Sequence, residues 1–346
     1  MSTQQYSFFG DHQALEALTQ SGDRLVELSR YIDWQPLVER ADAIWRAGAD
    51  KKASCGAKPW SSSVMLRILV LKRLYNLSDE QMEYQLRDRL SFMRFVGLGL
   101  GDMVPDSRTI WSYGEVLARA DGARRLFDCF QEQLQKRGLL VKEGSIVDAT
   151  FVEVPKQRNT RDENALVKNG GVPEAWQEQP RKLAQKDTDA RWTKKGGAAY
   201  FGYKNHIKLG QKSKLIQHYA TTAASTHDSQ AVKDLVRSGD GSLHGDSAYT
   251  GEAIAADLRA KRVRNHIHEK GRADAPLSPL QKAANRIKSK VRARVEHPFA
   301  FMEKSLGGIY NRCIGFVRNA NQIGMMNLCY NLCRFVQLQT GRAAMA

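Results

Sequence analysis

The stretch that most constrains this chain is Gly144–Pro155, reading GSIVDATFVEVP. Ile146, Val147, Phe151, Val152 and Val154 are the β-branched and aromatic residues that pack on a pleated surface, and a glycine and a proline punctuate the ends. The segment reads as a buried strand. In its middle stands Asp148. An ionised carboxylate inside an apolar strand is costly unless it is paired, hydrogen-bonded or bound to a metal. A lone Asp near a strand's end is most often satisfied by water or a backbone N–H, so Asp148 gains meaning only from partners elsewhere in the chain.

The 346 residues around it leave room for two domains. A composition 42% hydrophobic and 26% charged is that of a folded globular protein. The 53 Lys and Arg outnumber the 37 Asp and Glu, for a net charge of +16. Such an excess favours a polyanionic partner, nucleic acid first. An anionic membrane is the other candidate surface, but no apolar run approaches ~18 residues. The opening MSTQQYSFFGDHQ also lacks the charged-then-apolar layout of a secretory signal. Cys55, Cys129, Cys313, Cys329 and Cys333 are scattered, without a CxxC pair. They read as reduced thiols of an intracellular protein.

Residues 11–138 read as helical nearly throughout. Asp33, Ser61 or Ser62, and Asp106 or Ser107 are candidate helix caps, and Ser78 with Gln81 has the spacing of a capping box. Two helices joined at Tyr75–Leu77 are compatible with a helix-turn-helix or with any helical hairpin. Gly97, Gly99 and Gly101 form a loop, and Gly138 ends the last helix. Beyond Leu139 the pattern turns to strands. Residues 156–199 form a polar excursion with one short helix near Ala175–Gln177. Strands are then expected at Tyr200–Leu209, Leu215–Thr222, Gly241–Asp246 and Val263–His268. Helices are expected from Ser229 to Gly239 and over Glu252–Arg259. A basic helix, Leu280–Met302, is interrupted by Pro298, and Ile323–Val336 closes the chain. The class is α+β, with a mixed sheet.

Asp246 falls at the end of the fourth of these strands, so neighbouring first and fourth strands would bring Asp148 and Asp246 to one sheet edge. Converging carboxylates suit Mg²⁺, which prefers hard oxygen ligands, and two such ions serve phosphoryl transfer. Glu252, Glu269, Glu296 and Glu303 are all possible third ligands. Glu296 stands out because Arg286, Lys288, Lys290, Arg292 and Arg294 precede it on one helix, a face suited to phosphates. Lys194, Lys195, Lys204, Lys208, Lys212 and Lys214 lie among Trp192, Tyr200, Phe201 and Tyr203, as in a groove for DNA; strand alternation alone explains part of that pattern. His206, His244 and His297 lack zinc spacing and read as packed histidines. No Ser-His-Asp or nucleophilic Cys setting is present.

VDATFVEVP, DTDARWTKKGGAAYFGYKNHIK, GDSAYTG and RARVEHPF, in that order, together with LSDEQMEYQLRDRLSFMRFVGL and PDSRTIWSY, resemble the DDE transposases of bacterial insertion sequences, nearest to the insertion-sequence-five family. The resemblance implies a helical DNA-binding region at 1–138 and a ribonuclease-H-like catalytic domain at 139–310. A helical segment at 311–346 would pack on the latter. It implies Asp148, Asp246 and Glu296 as catalytic residues and ligands of two Mg²⁺, with Mn²⁺ able to substitute. DNA contacts are expected from Lys194, Lys195, Lys204, Arg292, Arg294 and Lys304. The implied partners are element ends and target DNA, bound by a homodimer or larger assembly in the bacterial cytoplasm, at the nucleoid. The family's Tyr-x2-Arg-x3-Glu-x6-Lys signature is met at Arg292 and Glu296; Ser289 stands at the Tyr position and Glu303 at the Lys position, with Lys304 one residue late.

Overall fold

A computed structural model describes residues 10–48, 58–99, 101–140, 144–272 and 274–343. Cys55 lies outside them; Cys129, Cys313, Cys329 and Cys333 are free thiols. No described helix is long and apolar enough to cross a membrane. The chain forms two compact units, Met1–Ala120 with Leu332–Ala346, and Asp121–Asn331.

The described part of the first unit is built from α1 (Gly10–Gln20), α2 (Arg24–Tyr31), α3 (Gln35–Gly48), α4 (Ser62–Leu74), α5 (Asp79–Asp88), α6 (Leu90–Val96) and α7 (Ser107–Arg119). Its hub is α4, where Val64, Met65, Leu66, Ile68, Leu69, Val70, Leu71 and Leu74 are all buried. A helix apolar on every side must be enclosed by others. Two of the expected caps form: Ser78 and Gln81 bond each other's backbone N–H, and Asp106 accepts from Thr109 N–H; Ser61 precedes α4 without a side-chain cap bond. The chain turns from α4 into α5 through Asn76 in the left-handed region (φ 49°). α5 carries Asp79, Glu80, Glu83 and Asp88; Lys72 pairs with Asp79 and Arg87 with Glu83.

The second unit holds a six-stranded sheet of β1 (Ser145–Glu153), β2 (Arg191–Lys195), β3 (Ala198–Gly210), β4 (Ile216–Ala223), β5 (Ser242–Gly245) and β6 (Arg264–Ile267). β1 is central. It runs antiparallel to β3, and β3 is antiparallel to β2 at one end and to β4 at the other. On the opposite side β1 pairs parallel with β5, and β5 with β6. Antiparallel hairpins followed by parallel crossovers around one central strand make the arrangement ribonuclease-H-like. The helices are α8 (Gly122–Lys136), α9 (Arg161–Lys168), α10 (Glu174–Gln177), α11 (Pro180–Leu183), α12 (Val232–Leu235), α13 (Glu252–Ala260), α14 (Pro279–Arg292), α15 (Glu296–Ser305) and α16 (Phe316–Ala343).

One face of the sheet packs Val147 and Leu243 against Val232, Leu235, Val236 and Leu258 from α12, α13 and their flanks. On the other, Phe127 of α8 meets Tyr219 of β4 edge-on at 4.9 Å, and Arg124 stacks 3.5 Å from the same ring. These contacts place α8 with the sheet, so the compact units part at Ala120 rather than near Gly138. Within Asp121–Asn331, α16 approaches closely enough that a Cβ on Gly324 would stand 2.4 Å from Tyr219 Oη. Asn327 exchanges two amide hydrogen bonds with Asn205 (2.8 and 3.0 Å).

Two expectations need correcting. The excursion at 156–199 contains three short helices and the strand β2, which pairs with β3 through a two-residue turn at Gly196 and Gly197 (φ 57° and 83°). Positive φ at both positions is the turn that matches strand twist in a tight hairpin. The basic helix breaks before Pro298, not at it: α14 ends at Arg292, a 3₁₀ turn covers Ala293–Val295, and α15 starts at Glu296. In one continuous helix the proline ring would meet the Arg294 carbonyl; in the first turn of a new helix its missing N–H costs nothing.

Candidate active site

The register of the parallel pair builds the site. Ser145 lies opposite Leu243 and Ile146 opposite His244. Two residues further on, at the carboxyl end of β5, the strands carry Asp148 and Asp246. Asp246 caps the 3₁₀ turn Ser247–Tyr249, accepting Ala248 N–H at 2.9 Å.

Asp148 is 16% exposed at its side chain. It accepts the N–H of the next residue, Ala149, at 2.9 Å, and its second oxygen lies 3.6 Å from Arg292 Nη2. Burial raises its pKa, helped by the charge of Asp246; the Ala149 N–H, Arg292 and Lys195 pull the other way. At Asp148 burial wins. Arg292 reaches Asp148 from the last turn of α14, and its Nε is buried without a hydrogen-bond partner.

Glu296 is exposed at the start of α15. Among the described residues no three His, Cys, Asp or Glu side chains are placed to hold a metal ion. The structure thus brings together Asp148, Asp246 and Arg292, and leaves Glu296 outside that group. Glu303 and Lys304 are both exposed on α15. Ser289 Oγ donates to Asn285 O at 2.9 Å and lies 3.4 Å from His268 Nε2.

Of the expected DNA contacts, Lys194, Lys195, Arg294 and Lys304 are exposed. Arg294 donates to Gln211 O at 3.2 Å, and Lys195 stands 5.8 Å above the Phe151 ring. Lys204 does not face DNA. It is 8% exposed, and donates to Asp228 Oδ1 at 2.8 Å and to Thr226 O at 2.7 Å. Lys208 is likewise buried, 2.6 Å from Asp240. Both point to the face of β3 that carries Phe151 and Val147 on β1, where α12 and its flanks cover them. A buried cation needs an anion, and Asp228 and Asp240 supply it.

The three histidines are packed. His206 Nε2 meets Thr222 Oγ1 at 2.8 Å, His244 stacks on His266 at 4.8 Å, and His297 lies 3.2 Å from Tyr330 Oη. Burial lowers the pKa of His206 and of His244 to about 4, so both are neutral at pH 7. Sequence reasoning passed over Asp228, the partner of Lys204, and Tyr249, buried against Val147 and Leu243. The spacing of THDSQ and DSAY gave no sign of either role.

A mixed sheet of this order, with Asp148 midway along β1 and Asp246 just past β5, defines a ribonuclease-H-like domain. The family model described as "Transposase DDE domain" matches residues 140–332, more than half the chain. A second, "Transposase domain (DUF772)", matches residues 13–115. The chain belongs to the DDE transposase family. A solved structure to which it is similar is that of a piggyBac transposase synaptic complex with hairpin DNA. The identity is 11% and the TM-score 0.48, over 93% of this chain and 76% of that one.

Proposed function

We propose that this transposase binds the terminal repeats of an insertion sequence and catalyses metal-dependent DNA cleavage and strand transfer. The observation that carries the proposal is Asp148. It is a largely buried carboxylate on the central strand, level with Asp246 and answered only by one local N–H and a guanidinium at 3.6 Å.

The residues fit a divalent ion. Mg²⁺ binds through one or two carboxylates, keeping water and substrate phosphate in its remaining positions. Asp148 and Asp246 supply hard oxygens; Glu296, the residue after the 3₁₀ turn that follows Arg292, stands outside that pair in the ion-free protein and would have to move in to serve as third ligand. Two Mg²⁺, replaceable by Mn²⁺, are the reading for this site; bound ions would stabilise charge on the attacking and leaving oxygens of the scissile phosphate. The protein's own part is to hold the carboxylates apart from solvent, orient them by β1 and β5, and bind the DNA backbone through Arg292, Arg294, Lys304, Lys194 and Lys195. Duplex DNA, as element end and as target, is the partner, engaged by two or more copies of the chain at the bacterial nucleoid. The helical first unit is the source of end recognition.

The test is cleavage and strand transfer on the native element ends, run beside Asp148→Asn. Specific binding without carboxylate-dependent ion binding would make the chain a non-catalytic regulator. Cleavage of branched DNA in preference to paired terminal repeats would make it a structure-selective nuclease.

A further inference from the structure

The sheet face that carries Asp148 and Asp246 holds a third group that none of these roles uses. A Cβ built on Gly245 would stand 3.1 Å from Tyr249 Cδ2 and 3.2 Å from Val147 Cγ2, so residue 245 points with Val147 into the apolar cluster. Side chains alternate along a strand. His244 and Asp246 therefore point to the opposite face, with Asp148. β6 continues the row: His266 lies opposite His244 and stacks on it. His268, two residues further, donates its N–H to Gly245 O at 3.1 Å, which carries the register one step past the end of β6. Asp148, Asp246 and His268 thus stand at neighbouring positions on three adjacent strands, on one face.

Helix α14 crosses this row. Arg292 lies 3.6 Å from Asp148, and one turn earlier Ser289 Oγ lies 3.4 Å from His268 Nε2. The Ser289 hydroxyl has one proton, and it goes to Asn285 O at 2.9 Å. Towards the imidazole the hydroxyl can only accept, so Nε2 carries the proton of the neutral ring. Nδ1 keeps a lone pair and has no partner among the described residues. Burial, with Arg292 and Lys288, lowers the pKa of His268 against the opposing charge of Asp246, and the ring is neutral at pH 7. A bare lone pair repels phosphate oxygens, which have no proton to give. It suits a water.

We propose that His268 is a catalytic residue, whose Nδ1 accepts a proton from the water that attacks the scissile phosphate. The inference rests on the reading of the carboxylate pair given above. As the water oxygen bonds to phosphorus, one of its protons passes to Nδ1 and the P–O3′ bond breaks; the 3′ oxygen leaves and takes a proton from solvent. Ser289 fixes the tautomer that makes this transfer possible.

His268→Ala in the full chain separates a base from a histidine that only fastens α14 to the sheet. The single-turnover rate of end-DNA cleavage should fall by about 10²-fold or more, with end-DNA affinity and calorimetric Mn²⁺ affinity at the parent's values. Added imidazole, which fills the space left by the ring, should restore much of the rate. A reading independent of activity comes from ¹⁵N spectra of the ion-free protein labelled at histidine. The His268 signals, identified by their loss in His268→Ala, should show Nε2 protonated and Nδ1 bare. An unchanged rate, a loss that imidazole leaves in place, or the opposite tautomer overturns the inference. Weakened Mn²⁺ affinity overturns it too, since it would make His268 a ligand of the ion. Asp148→Asn is measured beside it. If that variant cleaves normally, the carboxylate reading itself is wrong; if it is inactive while His268→Ala cleaves normally, only the role of His268 fails.

Discussion

Two aspartates of the sheet-bearing unit are treated in opposite ways. Asp187, 4% exposed, is saturated. Its Oδ1 accepts from Asp189 N–H, Ala190 N–H and the Tyr203 hydroxyl at 3.0, 2.9 and 2.8 Å, and its Oδ2 accepts from Gly315 N–H at 2.9 Å. Asp148 has one N–H from its own neighbour and a distant arginine. A carboxylate whose lone pairs are filled by fixed donors holds structure together; one left short, beside a second carboxylate, keeps its oxygens for something that arrives later. Residue type is the same in both; Asp187 is the more deeply buried, and its donors are the more complete.

The comparison breaks most visibly in catalysis. Asp148→Asn, Asp246→Asn and Glu296→Gln should each lower cleavage of end DNA by about 10³-fold or more, roughly 4 kcal/mol of barrier, with the circular dichroism spectrum intact. Normal cleavage by Glu296→Gln together with loss in Glu303→Gln would move the third ligand along α15. Asp187→Ala should behave in the reverse sense. Leaving the Tyr203 hydroxyl and Gly315 N–H unpaired in the interior should cost about 3–5 kcal/mol in urea unfolding, while the folded fraction still cleaves; a variant as stable as the parent would remove the structural half of the contrast.

A smaller effect separates exposed from buried cations. Arg292→Ala with Arg294→Ala, or Lys195→Ala with Lys194→Ala, should weaken DNA binding and flatten its salt dependence by about 0.9 for each phosphate no longer neutralised. Lys204→Met should leave the salt slope alone and lower stability instead. A flattened slope in Lys204→Met would return that lysine to the DNA surface. The least effect is on the stability of the ion-free protein. Because the folded pKa of Asp148 is raised, chiefly by burial, the native state holds its proton more tightly than the unfolded chain. Its contribution is fully present below the ordinary Asp pKa and is lost as pH rises through the raised value. Asp148→Asn should therefore raise the Tm slightly at pH 7 and not at pH 3; a fall at pH 7 would mean that Arg292, not burial, governs this carboxylate.

Much of this was legible in the chain, and the illegible part has identifiable causes. Apolar β-branched runs marked β1, and the end of β5 put Asp246 where a site belongs. β2 was missed because its Trp192, Lys194 and Lys195 are exposed on an edge and carry no burial pattern, although the paired glycines after it were a usable sign. Lys204 and Lys208 read as surface cations because their inward direction depends on cross-strand register with β1. Asp187 gave no warning at all: one of its donors, Gly315, lies 128 residues away. Glu296 came from the resemblance, and the basic run before it only made it prominent.

The outer edge of β4 has a consequence for how copies of this chain can meet. Asn331 of α16 both accepts from Ile216 N–H (2.9 Å) and donates to Ile216 O (2.8 Å), as a neighbouring strand would. Gln131 also donates to Ile216 O and Arg124 to Tyr219 O, each at 2.7 Å. Side chains from two helices thus occupy backbone groups that an exposed edge offers to any passing strand. At Ile216 and at the Tyr219 carbonyl, the groups that an added strand would need are already taken. Shortening the chain before Asn331 uncovers the edge and makes the sheet a template for aggregation.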